Sequence, residues 1–321
     1  MNWTTRVTQL LGCRYPIIQG SYAGFGNSSL AAPVSEAGGF GLITASALKT
    51  PEKLREDIRR AKSVTAKPFG VNLTVGMTPN LEEMLEVAIE EKVQAVETSA
   101  FHSEHIGKRI KDAGIVWFHK VATVEHAVTA EKQGADAVVI VGLEGTGFKN
   151  VNQLPTLVAI TWAARKIRIP IIAAGGIGDA RGILGALAMG AEAAYMGTVF
   201  MATTECAISD RYKALLVSQM PTDRDVRDRA LNPPDREELE RVMKLRNSLP
   251  MDEWLRMLEK VNLKQSPSSQ PPILESDEAF RVAGGSLAVA FIDEVVTVKE
   301  LIDRIVGEAE RIVQGWTFLK S

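Results

Sequence analysis

Residues 170–203 read PIIAAGGIGDARGILGALAMGAEAAYMGTVFMAT. A short apolar run ends in two glycines, Gly175 and Gly176. An amphipathic stretch, Asp179–Met189, follows and stops at Gly190. A second apolar run, Ala193–Gly197, then leads into Thr198. Runs this short suit strands that are covered on both faces rather than buried helices. A glycine just past an amphipathic stretch suits a left-handed helix C-cap. The unit is strand, glycine turn, helix, glycine, strand.

The same grammar extends towards the N-terminus, in KQGADAVV at 132–139 and DAGI at 112–115. Eight runs qualify as strands: Pro16–Gln19, Phe40–Thr44, Pro68–Leu73, Val93–Thr98, Ile115–Lys120, Ala135–Val141, Ile169–Ala174 and Ala193–Gly197. Between them lie helical stretches such as Ser28–Ala37, Pro51–Lys62, Asn80–Glu91, Thr123–Gln133 and Leu154–Lys166. Eight strand–helix units of about 25 residues each predict an α/β fold, a (β/α)8 TIM barrel, over an open doubly wound sheet. After Cys206 the texture changes. Residues 207–264 are charged and helical, and SPSSQPP follows at 266–272. The small-residue run Val282–Ala290 and an amphipathic helix, Val298–Gly315, complete the chain. The expected organisation is a barrel from 1–206 plus 281–321, with 207–280 as a helical lid or insertion over one end.

Composition narrows the class. Of 321 residues, 45% are hydrophobic and 24% charged, enough apolar material for a packed core and too much for a disordered chain. Lys and Arg number 37 against 39 Asp and Glu, a net charge of −2 that gives no footprint for nucleic acid. Two cysteines, Cys13 and Cys206, exclude a disulfide framework and a four-cysteine metal site. No secretory leader or membrane-spanning run stands out, so a cytoplasmic protein is expected. A small-molecule substrate is expected as partner, with no nucleic acid and no membrane. A homodimer is left open, because the C-terminal helix could pack on the barrel or on a second copy.

In such a barrel the chemistry sits where strands end and helices begin. The strongest signal there is the pair of glycine loops after strands 7 and 8. Ala174, Gly175 and Gly176 end one strand, and Gly197 and Thr198 follow the next. Glycines let backbone N–H groups approach a phosphate, so a phosphorylated ligand such as FMN, a nucleotide or a sugar phosphate is expected. Lys120 ends a buried strand, where a cation is costly without a partner. It could face an anionic ligand, and in a flavin site it would stabilise the reduced ring. Asn72 offers the donor and acceptor that a flavin edge requires. Glu97 reads as a counter-ion for Lys120 or as a helix cap. His119 precedes Lys120, so strand alternation turns it the other way. His102, His105 and His126 fall on helices or their starts. No HExxH, CxxC pair or carboxylate cluster argues for a metal, and no GxSxG elbow is present. A nucleotide dehydrogenase with a loop cysteine has no cysteine between Gly142 and Pro155.

In combination, PIIQG at 16–20, EAGGFGLIT at 36–44, KPFGVNL at 67–73, His119-Lys120, PIIAAGGIGDARG at 170–182 and GAEAAYMGTVFMAT at 190–203 resemble the nitronate monooxygenase family, formerly 2-nitropropane dioxygenase. The likeness is greatest to the bacterial branch with NADH:quinone reductases, and flavin-dependent enoyl-acyl-carrier-protein reductases are cousins. It covers nearly the whole chain. It implies a TIM barrel with non-covalent FMN, with NADH or NADPH as a candidate electron donor. Carried over by position, it implies FMN contacts from Gln19, Gly20, Asn72, Lys120, Gly147, Ala174, Gly175, Gly176, Gly197 and Thr198.

One departure bears on mechanism. The family usually carries a histidine in a stretch of the kind E-x-G-G-H after strand 6, as the base that takes an α-proton from a neutral nitroalkane. Here Glu144-Gly145-Thr146-Gly147 is followed by Phe148 at that position, so the catalytic residue is left unassigned. Phe cannot accept a proton, although a preformed nitronate anion would not need that base. A phenyl wall would also suit a quinone or an enoyl thioester. Family members often carry a Gln in the tail segment where this chain reads Gly-Gly-Ser-Leu-Ala-Val-Ala at 284–290. The expected activity is thus FMN-dependent oxidation of a nitronate with O2, or transfer of electrons from NAD(P)H to an acceptor. The alternatives are an NAD(P)H:quinone or enoyl-thioester reductase, or a barrel that binds a phosphorylated ligand without flavin.

Overall fold

The computed structural model describes residues 1–21, 25–101, 103–147, 150–231, 235–246, 248–250, 253–254, 257–258, 261 and 285–317. Eight parallel strands alternate with helices: β1 Ile17–Gln19, β2 Gly41–Thr44, β3 Phe69–Val75, β4 Ala95–Ala100, β5 Val116–Val121, β6 Ala137–Val141, β7 Ile171–Ala174 and β8 Ala193–Met196. The hydrogen-bonded order runs β1-β8-β7-β6-β5-β4-β3-β2. A parallel bridge from Ile18 to Phe40 brings β1 back to β2 and closes the ring. This is a (β/α)8 TIM barrel, and closure rules out the open sheet.

Strand alternation separates two cores. Ile18, Phe40, Leu42, Ala95, Phe118, Val139, Ile172 and Ala193 fill the inside of the barrel. Val7 and Leu11, on a short helix Arg6–Leu11, pack with this inner set and plug its N-terminal end. The opposite strand faces, including Ile17, Val71, Val96, Val138, Ala173 and Ala194, meet the surrounding helices. Gly38, Gly114, Gly134 and Gly190 all take positive φ, as left-handed helix ends require. The C-terminal helix spans Val298–Gly315, opens with a Thr297–Glu300 capping box and packs against the Ala180–Ala188 helix.

Described parts of the expected lid form helices Asp210–Ser218, Arg224–Leu231 and Arg236–Lys244. Val242, Trp254, Leu258 and Val261 make a small separate cluster that takes in Phe101, from the loop after β4. Arg236 reaches Asn152 in the loop after β6 at 3.3 Å. The 266–272 stretch lies outside the described residues, as do Phe148 and His102. No helix among the described residues is long and apolar enough to cross a membrane.

Candidate active site at the barrel mouth

The inner layers are apolar at the N-terminal end and turn polar at the C-terminal end. Two residues beyond Ala95 stands Glu97, beyond Phe118 stands Lys120, and beyond Ala193 stands Tyr195. These three meet. Lys120 Nζ lies 2.9 Å from Glu97 Oε1 and 3.0 Å from the Tyr195 hydroxyl. It also donates to the Ser21 carbonyl at 3.3 Å. The Tyr195 hydroxyl donates to Glu97 Oε2 at 2.8 Å and accepts from the Ser21 N–H at 2.9 Å. Ser21 Oγ reaches the same carboxylate oxygen at 3.3 Å.

All three side chains are buried or nearly so, and Glu97 is fully sequestered. Burial alone would lower the lysine's pKa, but the charge of Glu97, helped by Tyr195, more than offsets it and holds Lys120 firmly cationic. Tyr195 is pushed up to about 12 by burial, with the Glu97 charge adding to it against Lys120 and Ser21. The tyrosine is therefore a neutral donor. The Glu97 expectation resolves in favour of the counter-ion. Lys120 also sits over the Tyr195 ring, 5.0 Å from its centroid.

Asn72 belongs to a second polar set on the neighbouring strands. Its Nδ2 donates to Ser99 Oγ at 3.3 Å, and its Oδ1 accepts from Thr74 Oγ1 at 3.1 Å. Thr44, opposite Asn72 in register, keeps a buried hydroxyl with no partner among the described residues. His119 faces outward as alternation requires. Its Nδ1 lies 2.8 Å from Thr98 Oγ1 and 3.1 Å from Ser103 Oγ, behind the barrel wall.

The glycine loops follow β7 and β8, the latter being the strand that carries Tyr195. Gly175 and Gly176 have φ of +104° and +69°. An ideal Cβ on Gly175 would stand 3.0 Å from the Gly142 carbonyl, and one on Gly176 would stand 3.0 Å from Glu144 Cβ. The loop after β6 thus lies directly on the loop after β7. Thr156 ties them together, with its hydroxyl 2.7 Å from Glu144 Oε2 and 2.9 Å from the Gly175 carbonyl. Gly147, with φ of +103°, ends the described part of the first loop. Ala174 closes β7 on the inner face. Gly197 differs from its neighbours, for an ideal Cβ there would meet nothing within 4 Å. Among the described residues, the N–H groups of Gly175, Gly176, Gly197 and Thr198 meet no protein acceptor. The Thr198 hydroxyl bonds Ser286 Oγ at 2.9 Å, which draws the tail segment to this end of the barrel.

Two expected contacts have structural work of their own. Gln19 Oε1 accepts from the Leu42 N–H at 3.0 Å and its Nε2 donates to the Gly20 carbonyl, so the side chain stitches the β1–β2 seam. Gly20 lets Tyr195 lie across it, since an ideal Cβ would stand 2.8 Å from that ring. Tyr195, Thr44 and Thr156 are site residues that the strand-end pattern does not single out. The available signal for Tyr195 was its place two residues before Gly197, on the inward-facing parity of β8. Among the described residues no group of three or more His, Cys, Asp or Glu could hold a metal ion.

A family model described as nitronate monooxygenase matches residues 4–308. The chain belongs to the nitronate monooxygenase family. A nitronate monooxygenase of Paraburkholderia phytofirmans is 32% identical over 258 residues, covering 65% of this chain and 69% of that protein. A (3aS,4S,5R,7aS)-5-hydroxy-7a-methyl-1-oxo-octahydro-1H-indene-4-carboxyl-CoA dehydrogenase of Rhodococcus jostii is 32% identical over 209 residues, covering 65% of this chain. The chain spans only 58% of that relative's length. Among solved structures, FabK from Thermotoga maritima superposes with a TM-score of 0.75 at 33% identity over 97% of both chains.

Proposed function

We propose that this chain is a flavin-dependent oxidoreductase that holds FMN at the barrel mouth. The four unengaged N–H groups of Gly175, Gly176, Gly197 and Thr198 carry this reading. Unpaired backbone donors beside open space at Gly197 are what a phosphate requires. The buried Thr44 hydroxyl and the remaining amide capacity of Asn72 fit the polar edge of a flavin ring. FMN, when bound, accepts a hydride or single electrons from a donor and passes them on.

The protein's own contribution is electrostatic and positional. Lys120 places a fixed positive charge beside the ring site, and Glu97 keeps it from drifting. Tyr195 stays protonated across the working pH range. Among the described residues two carboxylates stand at the mouth: Glu97, whose oxygens already face Lys120, Tyr195 and Ser21, and Glu144, whose Oε2 is engaged by the Thr156 N–H and hydroxyl. No imidazole among the described residues faces the mouth. This favours substrates that need no proton removed by the enzyme: a nitronate that arrives as an anion, or an acceptor of electrons supplied by NADH or NADPH.

Purification tests the reading. The protein should be yellow, or become so with FMN, and heat should release FMN rather than FAD. Anaerobic mixing with NADH, NADPH and propyl-2-nitronate in turn should bleach the flavin band with at least one of them. A colourless protein that takes up no FMN would overturn it.

A further inference from the structure

Arg246 stands at the rim of the mouth in an arrangement that the flavin reading does not use. Its guanidinium carbon lies 4.4 Å from the centroid of Phe101 and 5.6 Å from that of Trp254. The two rings contact one another at 5.6 Å. Trp254 is itself fixed by an Nε1–H bond of 2.8 Å to the Val242 carbonyl. Phe101 follows β4, and Gly76 follows β3. An ideal Cβ on Gly76 would stand 3.0 Å from the Phe101 ring and 3.3 Å from Arg246 Nη2, so the glycine makes room for both. The guanidinium is therefore held by ring faces and by a glycine, over the ends of two barrel strands. No carboxylate among the described residues lies within ion-pair distance of it. Two residues beyond Gly76, Thr78 keeps a buried hydroxyl without a partner among the described residues.

Stacking on aromatic faces leaves a guanidinium's in-plane N–H groups available. Those N–H groups form a planar fork that matches a phosphate or carboxylate. We infer that Arg246 is an anchor for an oxyanion, a phosphate or carboxylate carried by the substrate that enters the mouth past the loops after β3 and β4. The inference rests on the mouth being the reaction site. It adds that the substrate, or its carrier, is anionic at some distance from the reacting atoms. Two sources share this chemistry: the phosphates of a coenzyme A thioester and those of a nicotinamide dinucleotide.

Trp254 supplies the readout, because it touches the same cluster. The FMN-loaded protein is titrated with coenzyme A, with 2′,5′-ADP as the dinucleotide fragment, and with succinate, following intrinsic fluorescence. At least one probe should give a saturable change. Its identity assigns the source: thioester carrier, dinucleotide or simple carboxylate. Arg246→Gln should weaken that probe by at least about tenfold, and Arg246→Lys by a smaller factor because charge remains while the fork is lost. FMN uptake should be unchanged in both, since Arg246 is apart from the glycine loops. If Arg246→Gln lowers the melting temperature, Arg246→Lys and Phe101→Leu decide, the latter keeping the guanidinium but removing its platform. No saturable response to any probe, or wild-type affinity in all the variants, would overturn the inference. Failure of the wild type to take up FMN would sink the flavin reading while leaving the anchor testable on the unloaded protein.

Discussion

Around Lys120, side chains answer one another: an ammonium, a carboxylate, a phenol and the backbone of Ser21 close a network at 2.8–3.3 Å. Around Gly175 and Gly197, just past the ends of β7 and β8, backbone donors have no protein acceptor among the described residues. The first region is complete without a ligand and its value is a fixed field. The second lacks protein acceptors, and the proposed function assigns its donors to an anion. Substitutions in the first should therefore damage the empty protein, whereas in the second a substitution at Gly197, where a Cβ meets nothing, should damage only its affinity.

The largest effect is expected at Glu97. Removing one partner of a buried pair leaves the other charge uncompensated and costs about 3–5 kcal/mol. Lys120 retains slight contact with solvent, so Glu97→Gln should fall near the lower end. Urea unfolding of the flavin-free protein measures it. The double variant Glu97→Gln with Lys120→Met should regain most of the loss, because no lone charge remains. A single variant within about 1 kcal/mol of wild type would show that the network is not a closed one.

Alkali probes the same region without mutation. The Tyr195 phenol ionises near 12 in the folded protein and near 10 when unfolded. Its contribution is whole below pH 10 and is lost as pH climbs from 10 to 12. It amounts to roughly 2–3 kcal/mol. Cys13 and Cys206, pushed by burial to about 12 and about 11, act with the same sign from pH 9 upward. Denaturation midpoints between pH 8 and pH 11.5 should decline, and Tyr195→Phe should flatten the part above pH 10. A tyrosine absorbance titration that completes below pH 10.5 would contradict the burial argument.

Glycines sharpen the contrast because two of them look alike in sequence and differ in space. An ideal Cβ on Gly142 would stand 2.0 Å from Thr156 Oγ1, whereas one on Gly197 would meet nothing. Gly142→Ala should destabilise the empty protein by about 1–3 kcal/mol through overpacking. Gly197→Ala should leave its unfolding within about 0.5 kcal/mol of wild type. It should nonetheless weaken FMN by at least about tenfold, through methyl contact with the phosphate, as read by fluorescence titration.

Much of this division was legible in the chain. Short β-branched and apolar runs located all eight strands to within one or two residues, because parallel strands covered on both faces are largely apolar until they reach the mouth. Lys120 and Asn72 stood out as polar residues at strand ends, and the glycine pairs as turns that a phosphate could use. Alternation correctly turned His119 away. What stayed hidden depended on register between distant strands. Tyr195 reads as an ordinary aromatic strand residue until β8 is placed beside β1 and opposite Lys120. Gln19 reads as a mouth residue until the β1–β2 seam shows its amide replacing a missing ladder bond. Thr156 begins a helix, and nothing local says that its hydroxyl joins two loops.

Thr44 lies between the two kinds of region, and the smallest effect is expected there. Its hydroxyl is buried on β2, opposite Asn72, and unlike the Lys120 network it has no partner among the described residues. An unpaired buried hydroxyl is a cost, and replacing it by an apolar group of the same shape is neutral or stabilising. Thr44→Val should therefore raise the stability of the empty protein by about 0.5–1 kcal/mol, by urea midpoint. If the hydroxyl meets the flavin edge, the same variant should bind FMN a few-fold more weakly, so that stability and affinity move in opposite directions. That opposition is the signature of a group kept unsatisfied for a ligand. A gain in stability with unchanged FMN affinity would instead mark the Thr44 hydroxyl as a packing defect, and would move the ring's polar edge towards Asn72 and Ser99.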